Sequence, residues 1–159
     1  MTSLNNDIYS LLSEKINSVE TLQQFCKSNK EFRQICRLNK NSICKYLLEI
    51  YKVDYTDPTN FIYIINNKTI DDFKDKKKYK FSSIFKLYMK SYFKTEINCG
   101  EMNITSFPIY PNMIIFNGRR NQLTTFPIQP KMTYFYGNDN QLITFPVQPN
   151  MTYFYGYGS

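Results

Sequence analysis

The chain has 159 residues, 42% of them hydrophobic, which allows one compact domain or two small ones and excludes a wholly disordered protein. Its formal charge is +7 and it contains no His. Without His, Ser-His and Cys-His nucleophiles and most zinc hydrolase sites are excluded, whereas carboxylate or Lys chemistry is not. Cys26, Cys36, Cys44 and Cys99 fit no zinc-ligand spacing, so the expectation is buried free thiols in a reduced, intracellular protein with no bound metal. Met1 to Asn6 is polar and no run nears the ~18 apolar residues of a membrane span, so neither a leader nor a membrane is expected.

The pattern over residues 7–93 is helical. Ile8, Leu11, Leu12 and Ile16 share one face of a first helix. Asn17 with Glu20 reads as the start of a second, continued by Val19, Leu22, Phe25 and Cys26. Ser28 and Glu31 have capping-box spacing before Phe32, Ile35 and Cys36. A longer helix carries Ile43, Tyr46, Leu47, Ile50 and Tyr51. Asp57-Pro58 then opens one with Phe61, Ile62 and Ile65. Residues 71–80 are polar and read as a loop or a frayed helix, with Lys76, Lys77 and Lys78 as a solvated run. Phe81, Ile84, Phe85, Tyr88, Met89, Tyr92 and Phe93 mark a final amphipathic helix, expected to cap the C-terminal third of the chain.

Within this region Leu22, Phe25, Cys26, Asn29, Lys30, Phe32, Arg33 and Cys36 form a run that resembles the F-box-like segment of giant-virus proteins. The early Leu-Pro of an F-box is absent; Asp7-Ile8-Tyr9 stands there. The resemblance implies docking of a Skp-type adaptor through Leu11, Leu12, Leu22 and Phe25.

From residue 104 the chain repeats every 19 residues: ITSFPIYPNMIIFNGRRNQ, LTTFPIQPKMTYFYGNDNQ, LITFPVQPNMTYFYGYGS. Phe107, Phe126 and Phe145 correspond, as do Met113, Met132 and Met151, and Gly118, Gly137 and Gly156. In the phase M-x-x-F-x-G-x-x-N-x-L, ending on Asn121-Leu123 and Asn140-Leu142, the pattern resembles the leucine-rich-repeat core L-x-x-L-x-L-x-x-N-x-L. The F-P-x-x-P segment resembles the short-repeat subclass of bacterial effectors. Proline lacks an N–H donor, so two per repeat suit an extended outer segment and not a ladder strand. Asn121 and Asn140 are expected to bond backbone groups of neighbouring coils. Glycine at the third core position predicts a coil that is thin there. Ile97, Cys99, Met102 and Ile104 occupy the core phase of a degraded upstream coil.

The expected fold is α+β: a helical F-box-like head over residues 1–93, then a leucine-rich-repeat-like solenoid over 94–159 with one small parallel sheet. Strand alternation turns Glu96, Asn98, Ile115, Asn117, Arg119, Tyr134, Tyr136, Asn138, Tyr153, Tyr155 and Tyr157 outward, as a concave partner-binding face. Tyrosine brings contact area and a polar tip, although β-propensity alone also favours it in strands. The expected function is protein–protein interaction, without a cofactor or catalysis. Its sharper form is a virus-encoded receptor that brings a host target to a ubiquitin ligase in the host cytoplasm. The alternatives are a basic nucleic-acid-associated protein, since residues 1–93 carry 16 Lys/Arg against 10 Asp/Glu, and a structural component. The latter would self-associate through a solenoid end left uncapped, because the third repeat stops before its Asn.

Overall fold

The computed structural model describes residues 17–56 and 80–156. The helices expected at residues 8–16 and 57–65, the loop before Lys80, and the candidate residues Leu11, Leu12 and Tyr157 lie outside them. The architecture is α+β, with helices first and a four-stranded parallel sheet after them, in a leucine-rich-repeat-like arrangement.

Helix α1 (Val19–Ser28) starts one residue later than Asn17 suggests. Ser18 is extended and its hydroxyl accepts from the Thr21 amide, while Thr21 Oγ1 accepts from the Ser18 amide. Glu20 is thereby freed from the cap and takes the Tyr92 hydroxyl at 2.8 Å. Helix α2 (Lys30–Leu38) is capped by Asn29, not by the expected Ser28–Glu31 pair. Ser28 is still helical, and its hydroxyl donates to the Phe25 carbonyl.

A single residue therefore separates two helices, which fold into a hairpin. That hairpin brings Cys26 and Cys36 to a Cα separation of 5.9 Å, where they form a disulfide. The expectation of four free thiols is corrected here: only Cys44 and Cys99 are free, and both are buried. A spacing of 10 residues carries no such signal, because the pairing arises from the hairpin and not from one helix face. Helix α2 has no fully buried residue; the disulfide, the stacked Phe25–Phe32 pair at 4.3 Å and half-buried Ile35 hold it in place.

Helix α3 (Lys40–Ile50) buries Ile43, Cys44, Leu47 and Leu48 against Ile84, Leu87 and Tyr88 of α4 (Phe81–Ser91). Phe93 falls beyond the end of α4 and is exposed, contrary to the expected apolar face.

Strands β1 (Glu96–Asn98), β2 (Ile115–Asn117), β3 (Tyr134–Tyr136) and β4 (Tyr153–Tyr155) lie side by side in that order. The register is the repeat itself: Ile97, Phe116, Phe135 and Phe154 are successive partners. Two aromatic columns fill the coils. Phe116, Phe135 and Phe154 stack at 5.2 Å intervals. Phe107, Phe126 and Phe145 stack at 5.3 and 5.8 Å. The columns meet edge-on, Phe107 against Phe116 at 4.7 Å, a favoured aromatic geometry.

The glycines explain how so large a ring fits. A Cβ on Gly118 would lie 2.2 Å from Phe116 Cζ, and one on Gly137 2.3 Å from Phe135 Cζ. Each ring covers the glycine two residues on. The coil is not thin at that position, as the missing Leu suggests; the preceding Phe fills it. One continuous core runs from Val19 through Tyr88 and Ile97 to Phe135.

Candidate binding face

Two polar ladders hold the coils in register. The Asn121 side chain accepts from the Met102 and Ile104 amides and donates to the Cys99 and Gly118 carbonyls. Asn140 accepts from Leu123 and donates to Gly118 and Gly137. The second ladder was not anticipated. Gln129 accepts from the Tyr110 amide and donates to the Pro108 carbonyl. Gln148 repeats this one coil later, on the Gln129 amide and Pro127. Proline segments cannot pair with each other through backbone N–H, so a buried glutamine supplies the missing bonds. The signal lay in the repeat, where Gln129 and Gln148 align with Tyr110.

The first coil replaces that Gln with Tyr110, whose buried hydroxyl meets Ser91 of α4 at 2.8 Å. Tyr88 donates to the Ile109 carbonyl, and Asn112 donates to the Tyr92 carbonyl at 3.0 Å. Helix α4 thus seats the first coil through hydroxyls and stacked rings, Tyr88 on Tyr110 at 5.2 Å. Burial raises the Tyr88, Tyr92 and Tyr110 pKa values above the ordinary phenol range, so the three phenols stay neutral; Tyr88 and Tyr92 donate, and Tyr110 accepts from the Ser91 hydroxyl. Burial also pushes the Cys99 thiol up to about 12, which makes it inert as a nucleophile.

On the outer sheet face, register places Glu96, Ile115, Tyr134 and Tyr153 in one column and Asn98, Asn117, Tyr136 and Tyr155 in the next. Tyr134, Tyr153 and Tyr155 are exposed; Tyr136, Ile115 and Asn138 are half-buried. The tyrosine rings lean on one another, Tyr136 on Tyr153 at 5.3 Å. One end of the face is therefore aromatic and the other polar.

At the polar end, Asn98, Gly100, Glu101, Met102, Asn117 and Arg119 line a depression. Asn117 Oδ1 is buried there without a hydrogen-bond partner among the described residues. An orphan acceptor is costly unless a ligand or water donates to it. The Arg119-Arg120 pair divides. Arg119 lies at the exposed edge over Gly100, whereas Arg120 bridges Glu101 at 3.1 Å and Asp139 at 3.8 Å. These three residues occupy the same turn of successive coils, each with φ between 54° and 61°.

Leu22 and Phe25, the described adaptor candidates, are half-buried and pack against the core rather than standing free. Among the described residues, no group of three or more His, Cys, Asp or Glu could hold a metal ion, and no helix is long and apolar enough to cross a membrane.

Fold and face together define a short stack of leucine-rich-repeat-like coils seated on a helical head. Compared with family profiles, curated proteins and solved structures, the chain finds no match.

Proposed function

We propose that the chain is a protein–protein interaction module whose partner lies on the outer face of the sheet. The observation that carries this reading is the aromatic patch of Tyr134, Tyr136, Tyr153 and Tyr155 on a backbone clamped by two internal ladders. Rigid tyrosines lose little conformational freedom on binding and bring both apolar area and hydroxyls. The sharper form follows the F-box-like resemblance: the head docks a Skp-type adaptor and the face holds the target.

Two measurements test this. A photo-crosslinking side chain at Tyr134 or Tyr153, compared with one at Val147, reads which surface meets a partner in host-cell extract. Crosslinks from the sheet positions, lost on Tyr136→Asp, are expected; equal labelling from Val147 sinks the reading. Calorimetry of the full chain with a purified Skp-type adaptor tests the head. Saturable binding weakened by Leu22→Ala and Phe25→Ala, with helicity retained, supports the receptor form. Absence of binding leaves a plain interaction module.

A second reading, self-association, draws on the last described coil. Phe154, Ile143 and Val147 are exposed, and β4 has no strand beyond it among the described residues. Sedimentation that shows a dimer lost on Phe154→Asp would favour it.

A further inference from the structure

The helical head contains a feature that neither the coils nor the sheet face explains. Helix α2 is tied to α1 by the disulfide and one ring stack, and meets the core through half-buried Ile35 and Cys36, with no residue fully buried. Its shallow seating leaves a pocket of about 380 Å³ among α1, α2, α3 and α4. That volume falls within the ~300–1,000 Å³ typical of small-molecule sites.

The lining is chemically one-sided. Leu22, Ile43, Phe85 and Met89 give it apolar walls, together with the Cys26–Cys36 disulfide. Among the described residues, the charged members of the lining are Lys40 and Lys86, both exposed, and Ser82 adds a hydroxyl. Lys40 stands one helical turn before buried Cys44 in α3, and both line the pocket. Apolar walls under a rim that carries two lysines complement a molecule with a hydrocarbon body and one anionic end.

We propose that this pocket binds a small amphipathic anion of the medium-chain fatty carboxylate class. Its chain lies against Leu22, Ile43, Phe85 and Met89, and its carboxylate lies between Lys40 and Lys86. The same headgroup chemistry could be offered by an anionic membrane, so the test separates the two sources.

The test titrates the full, oxidised chain by calorimetry with sodium dodecanoate below its aggregation concentration. Dodecyltrimethylammonium and phosphatidylglycerol vesicles are the comparison ligands. Dodecanoate is expected to bind saturably with one site, at least tenfold more tightly than the cationic amphiphile. Lys40→Glu with Lys86→Glu should weaken it roughly tenfold, the scale of two partly solvated charge contacts. These surface changes leave the fold intact and avoid Leu22, which the adaptor reading also uses. Met89→Trp fills the pocket and should abolish binding with an unchanged circular dichroism spectrum. Equal affinity for both amphiphiles overturns the proposal, as does undiminished binding in a folded Met89→Trp protein. Binding to vesicles but not to free dodecanoate also overturns it.

Discussion

Substituting Gly137 by Ala isolates the packing rule of the coils. At an ordinary site with negative φ, Gly→Ala stabilises by about 0.4–1 kcal/mol through the unfolded chain. Here the new methyl would lie 2.3 Å from Phe135 Cζ and 2.4 Å from Cε1. The ring cannot retreat, because Phe116 and Phe154 stack on its faces at 5.2 Å and Phe126 meets it at 5.1 Å. Overpacking of this kind costs about 1–3 kcal/mol, and displacing the ring forfeits stacking of about 0.5–1.5 kcal/mol per pair. The net expectation is a loss of about 2–3 kcal/mol, a fall in Tm of about 4–12 °C for a chain of this size. Urea unfolding followed by circular dichroism measures it. The decisive control is Phe135→Ala, which alone should cost about 3–5 kcal/mol. In that background Gly137→Ala should be neutral or slightly stabilising, since the methyl then enters vacated space. An equal cost of Gly137→Ala with and without the Phe135 ring would refute the reasoning.

Asn140→Ala leaves the buried Leu123 amide and the Gly137 carbonyl without their side-chain partner. A loss of about 2–5 kcal/mol is expected, and hydrogen exchange should locate it at Leu123. Reduction of Cys26–Cys36 opens a loop of 10 residues and should cost about 2–3 kcal/mol on the chain-entropy account. Exchange should rise over Val19–Leu38, while protection around Phe116 and Phe135 persists. Alkaline pH should destabilise the fold. The Cys99 thiol titrates near 9.0 when unfolded and near 12 when folded. Between those values the unfolded chain releases a proton that the native state keeps, so stability falls as pH rises. Denaturation midpoints measured from pH 8 to 11 should decline, and less steeply in Cys99→Val; parallel slopes would contradict this source.

Repetition made the coils legible. A 19-residue period with Phe, Met, Gly and Asn in phase specifies which side chains align when coils stack, so the parallel register and the Asn ladder followed from the sequence alone. Local chemistry also placed the four described helices, because apolar spacing and capping residues act within a few positions. The caps themselves were misplaced by one residue, since Ser18–Thr21 and Asn29 compete with equally suitable neighbours. Tertiary structure decided what no period encodes. The disulfide depends on a one-residue hairpin at Asn29, the seat of the first coil on Tyr110 meeting Ser91, and the role of glycine on the ring two residues before it. The first two are meetings of side chains from different elements, and in the third the neighbouring coils hold the ring over its own glycine. Their distance in space is set by how the helices and coils close on one core, not by their spacing along the chain.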